Sequence, residues 1–413
     1  MPSPANIFKS IYATCLLIFS IVSVMGLIAT RQSTLSNNVN PATAFIVIWV
    51  AIIWLSMVEG GQGSLVGLQP IQFDLYEKSH PITYLSTKIA LNGDNLDRYL
   101  LGRQFMVCLV VFIVNMSGGP IGGAELWGYP DWVKNIFFTT GFAMILFTCQ
   151  VGQLASQVNG SLNMLDYINN YGCLFTFYTA MALEFSGLLH SSYLVQYLVS
   201  AISGKKIESN EPPRTALQGL WYWFRCLYSL AILVFCFAVT LVALFEGKTT
   251  MWKGVPAWLA MVIFFILMSV VGMLEAMQIA FFAVAKFTPE ERGDSKFQKL
   301  TCQLLFKGDG KNLPGFMIGR QLMVVSCMFF IARVTSVSIP EGGSNIFNVP
   351  DGVQEFFNTG LLGALITTIV ASIAWQLVAS AFPLAFLANP ITYIFLRICL
   401  LFEASGICHG AWV

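Results

Sequence analysis

Charge is what this chain has least of. Asp, Glu, Lys and Arg make up 10% of its 413 residues, where ordinary soluble domains carry roughly 25%. A soluble fold of this length could not cover its surface with so few. The charges also cancel, 22 basic against 21 acidic, so no electrostatic field is present to hold nucleic acid. Three histidines and ten cysteines form no CxxC pair and no Cys/His cluster at metal-ligand spacing. Cys15, Cys108, Cys149, Cys173, Cys226, Cys236, Cys327 and Cys399 sit inside apolar runs, where they read as small buried hydrophobes and not as a disulfide framework.

Apolar residues are abundant instead. They make up 56% of the chain, and mean hydropathy is +0.70, which excludes disorder. The runs are long and separate, so the expected class is an all-α polytopic membrane protein and not a barrel. Lys9 begins a run that reaches Ala29. It is too long for a signal-peptide core and shows no small-residue cleavage pattern, so it reads as a first transmembrane helix.

Ten spans of roughly 20 residues are expected, near 8–29, 42–68, 99–117, 134–157, 172–202, 219–245, 255–284, 316–337, 354–381 and 390–411. The polar stretch 203–218, with Lys205, Lys206, Pro212 and Pro213, is the linker, close to the midpoint. Around it the chain repeats itself. Glu59-Gly60-Gly61-Gln62 is answered by Glu275-Ala276-Met277-Gln278, and Gly102-Arg103-Gln104 by Gly319-Arg320-Gln321, at offsets of 216 and 217. Gly93-Asp94 matches Gly308-Asp309, and Pro130-Asp131 matches Pro350-Asp351. Phe137-Phe138 with Gly141 matches Phe356-Phe357 with Gly360, and Glu184 with His190 matches Glu403 with His409, both at an offset of 219. The expected organisation is a first five-helix repeat over 1–202, a linker over 203–218 and a second five-helix repeat over 219–413. An odd helix number inserts the second repeat upside down, the inverted-repeat plan of many secondary transporters, whose solute sites lie near the bilayer midplane.

The few polar residues at membrane depth follow the repeat. Such groups are costly there and face a partner or a cavity. Glu59 with Gln62, and Glu275 with Gln278, are three apart and share a helix face. Carboxylate acceptors beside amides that donate and accept suit a neutral polyhydroxylated solute, a cation, or both. The other reading is a helix–helix hydrogen bond. Gly60 and its neighbours weaken the helix and admit a solute to the backbone. Arg103 and Arg320, set between Gly102 or Gly319 and Gln104 or Gln321, either snorkel to the interface or turn inward to pair with Glu59 or Glu275. Inward pairing would fix the carboxylates and leave Gln104 and Gln321 for the solute. Asp166 is a candidate for an ion path or a loop residue. Glu184 and His190, six apart, would fall on different faces of one helix, about 240° apart, which argues against a metal site or a catalytic His cluster.

EGxQ followed by GRQ, twice, in ten apolar helices resembles the silicon (silicic acid) transporters of diatoms and related silicifying algae. The resemblance covers essentially the whole chain, and its paired motifs are specific to that family. Asn163-Met164-Leu165-Asp166 resembles the family's CMLD segment, with Asn163 for Cys. The chain departs further in carrying Ala276 for the second Gly and in ending at Val413 without the coiled-coil tail of many members. The resemblance implies sodium-coupled uptake of orthosilicic acid, with sodium as the co-transported ion. It also implies a cytoplasmic amino terminus, whereas the Lys/Arg count of the loops leans the other way. Orthosilicic acid presents four hydroxyls, each a donor and an acceptor. Gln62, Gln104, Gln278 and Gln321 could satisfy them while Glu59 or Glu275 binds a hydroxyl or sodium.

The expectation is an alternating-access symporter in the lipid bilayer of the plasma membrane. Its solute contacts are Glu59, Gln62, Gln104, Glu275, Gln278 and Gln321. Its ion-coupling groups are Glu59, Glu275 and Asp166, and its structural or gating residues are Arg103, Arg320, Gly60, Gly102 and Gly319. A homo-oligomer is the one protein partner it admits, and no metal beyond sodium is called for. The alternatives are a symporter or channel for another small hydroxylated solute, such as boric acid or a polyol, and a membrane-embedded enzyme.

Overall fold

The computed structural model describes residues 4–204, 211–307, 312–339 and 343–412. Lys205 and Lys206 of the linker and the Gly308-Asp309 block lie outside them. The chain is 78% helix and carries no strand among the described residues. Its principal helices are α1 (Pro4–Ala29), α2 (Pro41–Leu68), α3 (Asn95–Gly118), α4 (Asp131–Thr139), α5 (Phe142–Leu162), α6 (Tyr171–Phe185), α7 (Ser192–Ser203), α8 (Ala216–Phe245), α9 (Ala257–Ala285), α10 (Asn312–Thr335), α11 (Asp351–Phe357), α12 (Leu361–Ala381) and α13 (Pro390–Ala404).

Local chemistry sets several of their starts. Asn40 caps α2 by accepting from the Ala42 N–H, with Pro41 in the first turn. Asn389 and Pro390 repeat that arrangement at α13, and Thr215 with Gln218 forms a capping box at α8. These side chains satisfy amides that have no partner inside the helix.

Seven helices, α1, α2, α3, α8, α9, α10 and α12, are long and apolar enough to cross a bilayer. An eighth span arises if α4 and α5, bent by 52° at their junction, count as one; Gly141 sits at that bend with φ +71°. The chain is an integral membrane protein. Four of the ten expected runs are interrupted: 134–157 and 354–381 break at Gly141 and Gly360 but keep a long second helix, whereas the other two keep none. Run 172–202 breaks into α6 and α7, and run 390–411 gives α13 followed by a short 3₁₀ turn. The cause is Gly187 (φ +85°) and Gly406 (φ +77°), whose left-handed backbone ends the helix. A helix of 15 residues, the length of α6 and α13, is about 22 Å long, short of the roughly 30 Å hydrocarbon core.

The core gathers around α3 and α10, each buried over 72% of its most apolar stretch. Helix α2 packs on α3 and α5, and α9 packs on α10 and α12. α6 crosses α3 where Gly102 faces Ala180, and α13 crosses α10 where Gly319 faces Cys399. A Cβ at either glycine would collide with the facing carbonyl oxygen, so both crossings are backbone contacts of the small-residue kind. The turns beyond them reach across the midpoint of the chain. Gly187 rests on the Arg225 stem of α8, and Gly406 on the Lys9 stem of α1. α5 and α12 each contain a wide π-helical segment, Thr148–Leu154 and Thr367–Ile373, a local widening that often marks functional positions.

Candidate functional site

Five helices surround one small polar cavity, lined by Glu59, Gln62, Arg103, Gln104, Val107 and Gln153 from one half of the chain and Glu275, Gln278, Arg320, Gln321, Val324 and Met328 from the other. All six expected solute contacts meet here, together with both arginines. The spacing argument operates directly: α2 and α9 each present a carboxylate and an amide one turn apart.

Both arginines turn inward. Arg103 Nη1 donates to Glu59 Oε2 at 3.1 Å and its Nη2 to Gln104 Oε1 at 2.6 Å. Arg320 Nη1 donates to Glu275 Oε1 at 3.0 Å and its Nη2 to Gln321 Oε1 at 2.8 Å. Glu59 is 3% exposed, Arg103 5%, Glu275 5% and Arg320 3%. Two buried carboxylates therefore face two buried guanidiniums, and the four charges of the cavity cancel. Each guanidinium also turns its neighbouring glutamine so that the carbonyl faces Arg, leaving the Gln104 and Gln321 amide N–H groups for other partners.

The carboxylates are held further by residues not foreseen from the motifs. Gln153 Nε2 donates to Glu59 Oε1 at 3.2 Å and Gln157 Nε2 to Glu59 Oε2 at 2.9 Å. In the other half, among the described residues, only Gln376 Nε2 adds to Arg320, reaching Glu275 Oε2 at 2.9 Å. The two halves thus clamp their carboxylates unequally. A signal for Gln157 and Gln376 was present, because the two are 219 residues apart and each follows an alanine by two positions. Gln153 has no such signal: its counterpart is Ser372.

Gln62 and Gln278 are half-buried on the cavity wall. Among the described residues neither side chain hydrogen-bonds to the protein, so the helix–helix bond that rivalled a solute role is not made. Gly60 does something other than admit a solute. α2 runs unbroken through it, and the space of its missing side chain is filled by the Tyr167 ring. Gly102 and Gly319 are likewise packing positions.

Asp166 is not at the cavity. It lies exposed in the short helix Met164–Tyr167, where its Oδ1 is 3.1 Å from His80 Nε2. Glu184 and His190 also differ from expectation. The helix ends at Phe185, and the turn at Gly187 brings His190 Nε2 to 3.7 Å of Glu184 Oε1, with Tyr193 Oη donating to that oxygen at 3.1 Å. The two side chains meet because they are not on one helix.

The family model for silicon transporters matches residues 1–413, the whole chain. The chain belongs to the silicon transporter family. No curated protein and no solved structure matches it. Membership makes this a transporter-family protein whose membrane helices converge, at the family's paired motifs, on one buried polar cavity.

Proposed function

We propose that this silicon transporter takes up orthosilicic acid with sodium by alternating access across the plasma membrane, and that the cavity is where the solute sits. The single observation that carries the proposal is the convergence of both ExxQ faces and both GRQ triplets on one polar cavity, where two carboxylates are paired with two guanidiniums. A neutral cavity suits a neutral solute. Half-buried amides on Gln62 and Gln278 and the N–H groups of Gln104 and Gln321 offer donors and acceptors to its hydroxyls. The proposed site is two-sided, the first repeat (1–202) supplying one wall and the second (219–413) the other, joined by the linker 203–218. The matched packing of α2, α3 and α5 with α9, α10 and α12 supports two structural repeats, which we take to be inverted and to rock about the cavity.

Sodium coupling enters this picture through the arginines. Each carboxylate already has a guanidinium, so an entering sodium ion that takes carboxylate and amide oxygens would compete with an Arg contact for the same oxygens. Ion binding would thereby loosen Arg103 or Arg320 and bias the rocking step. A neutral solute with one cation makes the cycle electrogenic, about 2.3 kcal/mol per 100 mV per charge.

The test is uptake of a labelled silicic-acid analogue by proteoliposomes containing the purified protein, with and without an inward sodium gradient, and with boric acid or a polyol as competitor. Sodium-stimulated uptake that speeds up when the interior is negative supports the proposal. Uptake indifferent to sodium and voltage would make the protein a passive channel, and preferential transport of a competitor would change the solute.

A further inference from the structure

Resting on the reading of the cavity as the solute site, one buried acceptor stands without a partner among the described residues. Gln153 is fully buried and lines the cavity. Its amide NH2 donates to Glu59, and because a carboxylate only accepts, that bond fixes which end of the amide faces Glu59. The other end, Oε1, is buried without a partner. A buried carbonyl of this kind is costly unless something donates to it. The remaining unpartnered atoms of the cavity's charged side chains are the Nε–H groups of Arg103 and Arg320, which are donors and cannot serve one another. Among the described residues, the fully buried side-chain atoms of the cavity thus include two spare cationic donors and one spare acceptor.

We propose that Gln153 is a specificity-determining residue: its Oε1 accepts a hydrogen bond from an O–H of the solute, while the arginine Nε–H groups donate to solute oxygens. This arrangement selects a molecule with at least one hydroxyl proton to give and several oxygens to offer, and disfavours a fully deprotonated oxyanion, which has no proton for Gln153. It also makes the site lopsided. The second half has Ser372 at the matching place, itself buried, whose hydroxyl accepts from Gln376 Nε2 at 3.4 Å and does not line the cavity. The first half then holds the solute more tightly than the second.

The test compares Gln153→Ser, which gives the first half the residue of the second, with Gln157→Ala. Gln157 also donates to Glu59 but does not line the cavity. Both variants remove one donor from the carboxylate, and only the first removes the spare acceptor. With uptake of the labelled silicic-acid analogue normalised to folded, monodisperse protein, Gln153→Ser is expected to raise KM roughly tenfold with a smaller change in maximal rate. Gln157→Ala is expected to raise KM less than threefold. Equal KM shifts in the two variants would show that Gln153 acts only through Glu59 and would overturn the assignment, as would a parental KM in Gln153→Ser. Should Gln153→Ser not fold, Gln153→Asn, which keeps the amide but shortens it by one methylene, serves in its place with the same expected KM rise. A parent protein that takes up no silicic-acid analogue would instead refute the proposed function, so the two failures are distinct.

Discussion

Replacing Arg320 by Ala should destabilise the protein more than replacing Arg103 by Ala, and the structure says by how much. Either change leaves a carboxylate buried without its counter-ion, a loss of about 3–5 kcal/mol for a buried pair. What remains around the carboxylate differs. Among the described residues, Glu59 keeps Gln153 at 3.2 Å and Gln157 at 2.9 Å, whereas Glu275 keeps only Gln376 at 2.9 Å. One hydrogen bond to a charged group contributes about 1.5–3 kcal/mol, and the longer Gln153 contact belongs at the lower end of that range. Arg320→Ala should therefore be the worse of the two by about 1.5 kcal/mol. A paired change, Glu275→Gln with Arg320→Met, removes both charges and should recover most of the loss, because replacing a whole buried pair is far cheaper than halving it. Thermal unfolding of the purified variants in one detergent, ranked against the parent, reads all three. The reasoning fails if the double variant melts no higher than Arg320→Ala, or if Arg103→Ala melts below Arg320→Ala.

Further outcomes follow from the same geometry. Gln62→Ala and Gln278→Ala should each weaken solute affinity by roughly 5- to 150-fold, the range of about 1–3 kcal/mol for an unpaired buried hydroxyl, with undiminished folded yield because neither side chain bonds to the protein; parental uptake per folded molecule in both would dismiss the site. Gly102→Ala and Gly319→Ala should each drive a Cβ into a facing carbonyl and lose about 1–3 kcal/mol or more, measured as folded yield and melting point beside Gly122→Ala, where nothing lies within 4 Å of the added carbon; equal melting of all three would contradict the backbone crossings. Asp166→Asn should leave sodium dependence of uptake as in the parent, because the side chain is exposed at His80 and apart from the cavity; loss of sodium stimulation would bring Asp166 back onto the ion path.

Much of this protein is legible in the sequence because the bilayer restricts what a chain can do. With 10% charged residues and long separate apolar runs, a bundle of membrane helices is the only way to satisfy the backbone. The rarity of polar groups at membrane depth made Glu59, Gln62, Arg103, Gln104 and their counterparts conspicuous, and the repeat marked them twice. Tertiary structure alone decided the rest. Whether Arg103 and Arg320 snorkelled or turned inward depended on where α2 and α9 placed their carboxylates. Gln153, which has no counterpart in the repeat, joined the clamp from the π-helical segment of α5 that packs against α2. Gly60 proved to be a seat for Tyr167, a residue more than a hundred positions away. The meeting of Glu184 and His190 required a helix to end where its apolar pattern continued. In each case the sequence by itself determined which groups would need a partner inside the membrane. Which partner they found was set by helix crossings, since a buried polar group takes whatever donor or acceptor the fold brings within about 3 Å.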